Sequence, residues 1–140
     1  MASIQKPVPR LEIDPQSGVP VVHQITRGLR RCLLDGALVA GDLLPSSRAL
    51  ARDLGVHFNT VAQAYRELEA EGWLALKRRA GSVVLDRRTP SLTSAEHDRL
   101  ADDYEQALRD LRTDFEARGL TRNALDQRTR RVLDTQGDDA

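Results

Sequence analysis

"LPSSRALARDLGVHFNTVAQAYRELEAEGW", residues 44–73, holds the reading that decides the fold. Either Ser46 or Ser47 can cap a helix with its hydroxyl oxygen. "RALARDL" carries that helix to Gly55, where a left-handed residue costs least. Leu50, Ala51 and Leu54 recur on its inner side. A four-residue turn then opens a second helix, which runs to about Glu71 with Val61, Ala64, Tyr65 and Leu68 along one face and Gly72 as its stop. Two amphipathic helices joined by a tight turn form a helix-turn-helix. Within it, the pair His57-Phe58 is unexpected, because a bulky aromatic and a histidine stand where a polar reading helix begins.

Upstream, residues 1–19 are extended and turn-like, with Pro7, Pro9, Pro15 and the breaker "SGVP". Val22, Ile25, Leu29, Cys32 and Leu33 predict a helix over about 20–36 that stops at Gly36. "ALVAGDLLPSS" follows with a Gly-Asp turn and a brief strand. Downstream, "WLALKRR" and "SVVLD" read as two strands about a tight basic turn. The order helix, short strand, helix, turn, helix, strand, turn, strand is that of a winged helix-turn-helix. The fold class is mainly α with a small β-hairpin wing, followed by a C-terminal helical dimerisation tail.

The chain divides accordingly into a flexible N-terminus (1–10), the winged domain (11–86) and a linker (87–94, "RRTPSLTS"). A two-helix segment (95–135) and a frayed end (136–140) follow. Leu100, Tyr104, Ala107, Leu108, Leu111 and Phe115 make an apolar stripe on a helix of about 95–118. Gly119 breaks it, and Thr121 caps a second helix bearing Leu125, Val132 and Leu133. Two short helices bury little alone, so their expected partner is the same pair from a second chain. Leu100, Tyr104, Leu108, Leu111, Phe115 and Leu125 form the candidate seam.

The net charge of zero conceals an asymmetry. Residues 1–90 hold 13 Lys/Arg against 9 Asp/Glu, and residues 91–140 hold 8 against 12. The front half suits phosphates, and the back half does not. The N-terminus lacks the apolar core of a secretory signal, and no window approaches 18 consecutive apolar residues. With one cysteine, Cys32, the expected setting is a reducing cytoplasm with no membrane segment. His23, His57 and His97 lack ligand spacing, so no metal or other cofactor is expected. No catalytic triad or phosphate-cradling glycine loop is visible, which argues against an enzyme.

"LPSSRALARDLGV" and "NTVAQAYRELEAEG" at this separation resemble the GntR family of bacterial transcription regulators. The short tail, with "ARGLTRNALDQ" at its break, is similar to the YtrA-like subfamily, which keeps only two C-terminal helices for dimerisation. The likeness reaches from about residue 11 to 133. It departs at Val22, where the family usually has Tyr, and in the wing, where Arg79-Ala80-Gly81-Ser82-Val83 replaces a Gly-x-Gly pattern.

The resemblance implies a homodimeric repressor on an inverted-repeat DNA operator, controlling a transporter or stress operon. It also implies a DNA contact for Arg48, which matches the arginine of the family's "PSxR" motif. Asn59, Thr60 and Gln63 share one helical turn and have the chemistry to read base edges. Capping and solvation are their plainer roles. Ser47 can donate to phosphate, although capping suits it and Ser46 better. Arg66 suits a phosphate, or pairing with Glu69 or Glu71. Lys77, Arg78 and Arg79 form the wing's basic cluster, and Gly81 lets the wing approach closely.

Histidine is a weak cap, which leaves a phosphate or base contact for His57. Phe58 has two open roles, touching a thymine methyl or folding back as a staple. The alternative to specific DNA binding is a protein-interaction module or ligand sensor on the same fold. A small-molecule effector is a further partner compatible with such a regulator.

Overall fold

The computed structural model describes Val8 and residues 11–77, 81–87 and 90–137, except for the side chains of 136 and 137. The chain forms two compact units, Met1–Thr89 and Pro90–Ala140. The first contains α1 (Val21–Leu34), β1 (Leu43–Leu44), α2 (Ser47–Leu54), α3 (Phe58–Ala70), β2 (Leu74–Lys77) and β3 (Gly81–Val84). The second contains α4 (Ser94–Ala117) and α5 (Arg122–Gly137). This is the mainly helical winged architecture that the sequence predicts, and α5 continues two residues into the segment expected to fray.

Each helix of the first unit begins and ends for a local reason. The Pro20 carbonyl accepts from the His23 and Gln24 N–H groups at the start of α1. Ser46 Oγ accepts from the Ala49 N–H at 3.1 Å, which makes it the cap of α2 and leaves Ser47 as the first helical residue. Gly55 adopts φ 69°, and the Val56 N–H closes back on the Ala51 carbonyl at 3.0 Å. Gly72 repeats the device for α3, with the Trp73 N–H returning to the Leu68 carbonyl.

The apolar stripes converge on one core. α1 supplies Ile25, Leu29 and Cys32, α2 supplies Leu50 and Ala51, and α3 supplies Val61, Ala64, Tyr65 and Leu68. Leu38, Leu44, Leu74 and Val84 close it from the strands and connections. Burying each such leucine contributes about 1.5–3 kcal/mol. The N-terminal arm also packs here: a Cβ on Gly28 would overlap the end of the Leu11 side chain, so glycine lets the arm cross α1 closely.

The sheet has three antiparallel strands in the order β1-β3-β2, with Leu44 opposite Ser82 and Leu74 opposite Val84. The brief strand before α2 is therefore part of the wing sheet and ties the hairpin to the helices. Tyr65, which is fully buried, donates its hydroxyl to the Pro45 carbonyl at 2.7 Å and so fixes α3 to the entrance of α2. Burial pushes its phenol well above the ordinary range. Tyr65→Phe keeps the ring but strands that carbonyl, so it is expected to lower stability by about 1–3 kcal/mol. Chemical unfolding checks this, and an unchanged midpoint would show that the bond carries no weight.

In the second unit, Thr93 and Glu96 form a capping box at the start of α4. The Thr93 backbone and hydroxyl donors lower the Glu96 carboxyl below its usual range. Gly119, at φ 107°, turns the chain, and Thr121 Oγ1 accepts from the Ala124 N–H to open α5. Arg112–Asp126 at 2.6 Å and Glu116–Arg122 at 3.0 Å link the two helices. Leu100, Tyr104, Leu108 and Leu111 remain exposed along α4, while Phe115 and Leu125 are half-buried.

Candidate nucleic-acid interface

The buried face of α3 fixes what its other face presents. With Val61, Ala64, Tyr65 and Leu68 inward, Asn59, Gln63 and Arg66 follow at steps of four and three along the exposed side. Thr60 lies between the two faces and is half-buried. The Gln63 amide donates to Glu67 at 3.3 Å within the same helix. Arg66 takes neither of its candidate carboxylates. Glu71 is paired with Arg30 of α1, and Glu69 accepts from the Leu76 N–H at 2.7 Å. The Arg30 guanidinium lowers the Glu71 carboxyl below its usual range. Among the described residues Arg66 is thus an unpaired exposed cation on the outer face of α3.

The start of α3 differs from the sequence expectation. His57 is a working cap: its Nδ1 accepts from the Asn59 N–H at 3.1 Å. An accepting Nδ1 places the ring proton on Nε2. The bond gives His57 a helix-capping role through Nδ1 and does not engage Nε2. Phe58, half-buried and packed against the core, stacks on the His57 ring with centroids 4.8 Å apart and 28° between planes.

Arg48, the second residue of α2, joins this group from the other helix. Its Cζ stands 4.4 Å from the Phe58 ring centroid. The turn therefore brings Ser47, Arg48, His57 and Phe58 to the adjoining N-termini of α2 and α3. Neither helix has an acidic residue in its first turn, so both positive helix ends are uncompensated. A cation placed there works against the helix dipole by about 0.3–1 kcal/mol. Helix stability alone would favour Asp or Glu at position 48.

In the wing, Lys77 is exposed at the end of β2, in register with Gly81. Arg78 and Arg79 lie outside the described residues. Gly81 has an internal requirement for glycine: at φ 83°, an added Cβ would stand 3.2 Å from the Leu44 carbonyl oxygen. Sequence reasoning missed the Arg48–Phe58 contact. The two residues belong to different helices, and no local period connects them.

The same fold occurs in known regulators. The family model "Bacterial regulatory proteins, gntR family" matches residues 22–84. The HTH-type transcriptional repressor YtrA of Bacillus subtilis is 32% identical over 100 residues, covering 71% of this chain and 77% of that protein. Among solved structures, YtrA from Sulfolobus acidocaldarius, a GntR-family transcription factor, aligns with a TM-score of 0.56 at 32% identity, over 70% of this chain and 96% of that one. A transcriptional antiterminator from Listeria monocytogenes EGD-e aligns with a TM-score of 0.66 over 90% of this chain and 91% of that one; at 24% identity the likeness speaks for the fold alone. Among the described residues, no helix is long and apolar enough to cross a membrane, and no cluster of candidate metal ligands occurs. With the winged helix-turn-helix, the matching segment and a regulator similar over most of its length, the chain belongs to the GntR family of bacterial transcription regulators.

Proposed function

We propose that this protein is a cytoplasmic, sequence-specific repressor that binds an inverted-repeat operator in double-stranded DNA as a homodimer. Control of a transporter operon fits the reading. The observation that carries it is the exposed row Asn59, Gln63 and Arg66 on α3, continued by Arg48 at the start of α2. Asn and Gln match adenine bidentately, and Arg matches guanine or phosphate. Thr60 at the edge of the row is placed to meet a base or a thymine methyl, and Ser47 a phosphate. α4 and α5 supply the dimer contact through Leu100, Tyr104, Leu108 and Leu111, with Phe115 and Leu125 beneath. Each recognition helix then enters one of two major grooves about a helical turn apart.

Selection of bound fragments from the source genome tests the reading, because it returns the site and its neighbouring genes together. Recovery of no enriched sequence counts against it. The wing supplies a second test. Lys77 is exposed and adjoins Arg78 and Arg79 in the sequence. Replacing all three with alanine is expected to reduce the salt dependence of binding, by about 0.9 in log–log slope for each phosphate that is no longer neutralised. An unaltered slope would exclude the wing from the interface.

A further inference from the structure

We propose that Phe58 is a positioning residue for Arg48. Its ring fixes the guanidinium at the junction of α2 and α3, so that the edge of the guanidinium rather than its face meets DNA. The inference rests on the DNA-binding reading above. A guanidinium that lies flat over an aromatic face keeps its in-plane N–H donors free, and those donors make the fork that recognises guanine or phosphate. Among the described residues Arg48 forms no salt bridge, so the Phe58 ring is the group that restrains it.

The ring is itself restrained at several points. Phe58 is half-buried against the core, and it stacks on His57 at 4.8 Å. His57 is tied to the helix by the bond from the Asn59 N–H at 3.1 Å. The order of support runs from the α3 backbone through His57 and Phe58 to Arg48. A long side chain held in one rotamer before binding gives up less freedom on binding. The contact with the ring also offsets part of the cost of a cation at the positive end of α2. Phe58 acts within the protein, and the face that Arg48 covers is closed to a thymine methyl.

The test uses the full-length protein and its genome-selected operator. Arg48 δ-proton shifts in the free protein report whether the ring lies over that side chain, independently of any DNA. They are expected to be displaced by the ring current in wild type and in Phe58→Tyr. They should return to ordinary values in Phe58→Leu and Phe58→Met, which keep bulk without a π face. Operator affinity should fall about three- to tenfold in Phe58→Leu and Phe58→Met, the scale of a cation–π interaction, and recover in Phe58→Tyr. In an Arg48→Ala background the same changes should cost nothing further. An equal loss in both backgrounds would overturn the positioning role and assign Phe58 a DNA-touching or packing role of its own. An undisplaced Arg48 signal in wild type would overturn it too. Displaced signals in a wild-type protein that binds no sequence would uphold the Arg48–Phe58 stacking and overturn the DNA reading instead.

Discussion

Leu111→Asp is expected to convert the protein to monomers at micromolar concentration and to weaken operator binding by about 100-fold or more. Leu111 is 54% exposed on α4, on the same face as Leu100, Tyr104 and Leu108, of which Tyr104 is the most exposed at 64%. Soluble monomers rarely display so continuous an apolar stripe without a partner for it. A carboxylate within it would have to be desolvated in the dimer without a counter-charge, which costs several kcal/mol. Linking two DNA modules makes the second half-site contact intramolecular, worth about 10²–10⁴ in avidity, and the monomer forfeits this. Leu111 lies outside the winged unit, so the core of that unit should melt as before. Sedimentation velocity reads the oligomeric state directly, and a persistent dimer would move the interface elsewhere.

Arg48→Ala is expected to weaken binding to the selected operator by about 1–3 kcal/mol while sparing much of the affinity for unrelated DNA. The discrimination comes from geometry, since a forked guanidinium matches guanine where a point charge does not. Arg48→Lys is accordingly expected to restore non-specific affinity more than specific affinity. Fluorescence anisotropy with matched and scrambled duplexes at fixed salt separates the two. Unchanged specific affinity would remove Arg48 from base reading. An equal loss on both duplexes would make it a phosphate contact.

The residues whose structural role was legible in the sequence are those with a local cause. Ser46 and Thr121 cap helices because a hydroxyl three residues upstream reaches a free N–H. Gly55 and Gly72 stop helices because a left-handed turn excludes a Cβ. His57 was harder to read. Its capping depends on one ring nitrogen in one tautomer and one rotamer, which residue type alone does not specify. That Arg66 pairs with neither Glu69 nor Glu71 was decided from outside its own helix, because α1 takes Glu71 and the returning strand takes Glu69.

The sequence by itself determined the order of elements, their ends, the inward faces and the family. The order, the ends and the faces follow from interactions within about four residues or from a period of two or 3.6, and the family from the likeness of two motifs at a fixed separation. Only the tertiary structure decided that β1 joins the wing sheet, that Arg30 claims Glu71 across 41 residues, and that Tyr65 reaches Pro45 across 20. It also decided that Phe58 lies under Arg48. Partners this far apart leave no periodic trace in a sequence. They meet because the core fixes where α1, α2 and α3 cross, and the side chains at those crossings then pair with whichever group packing has brought within reach.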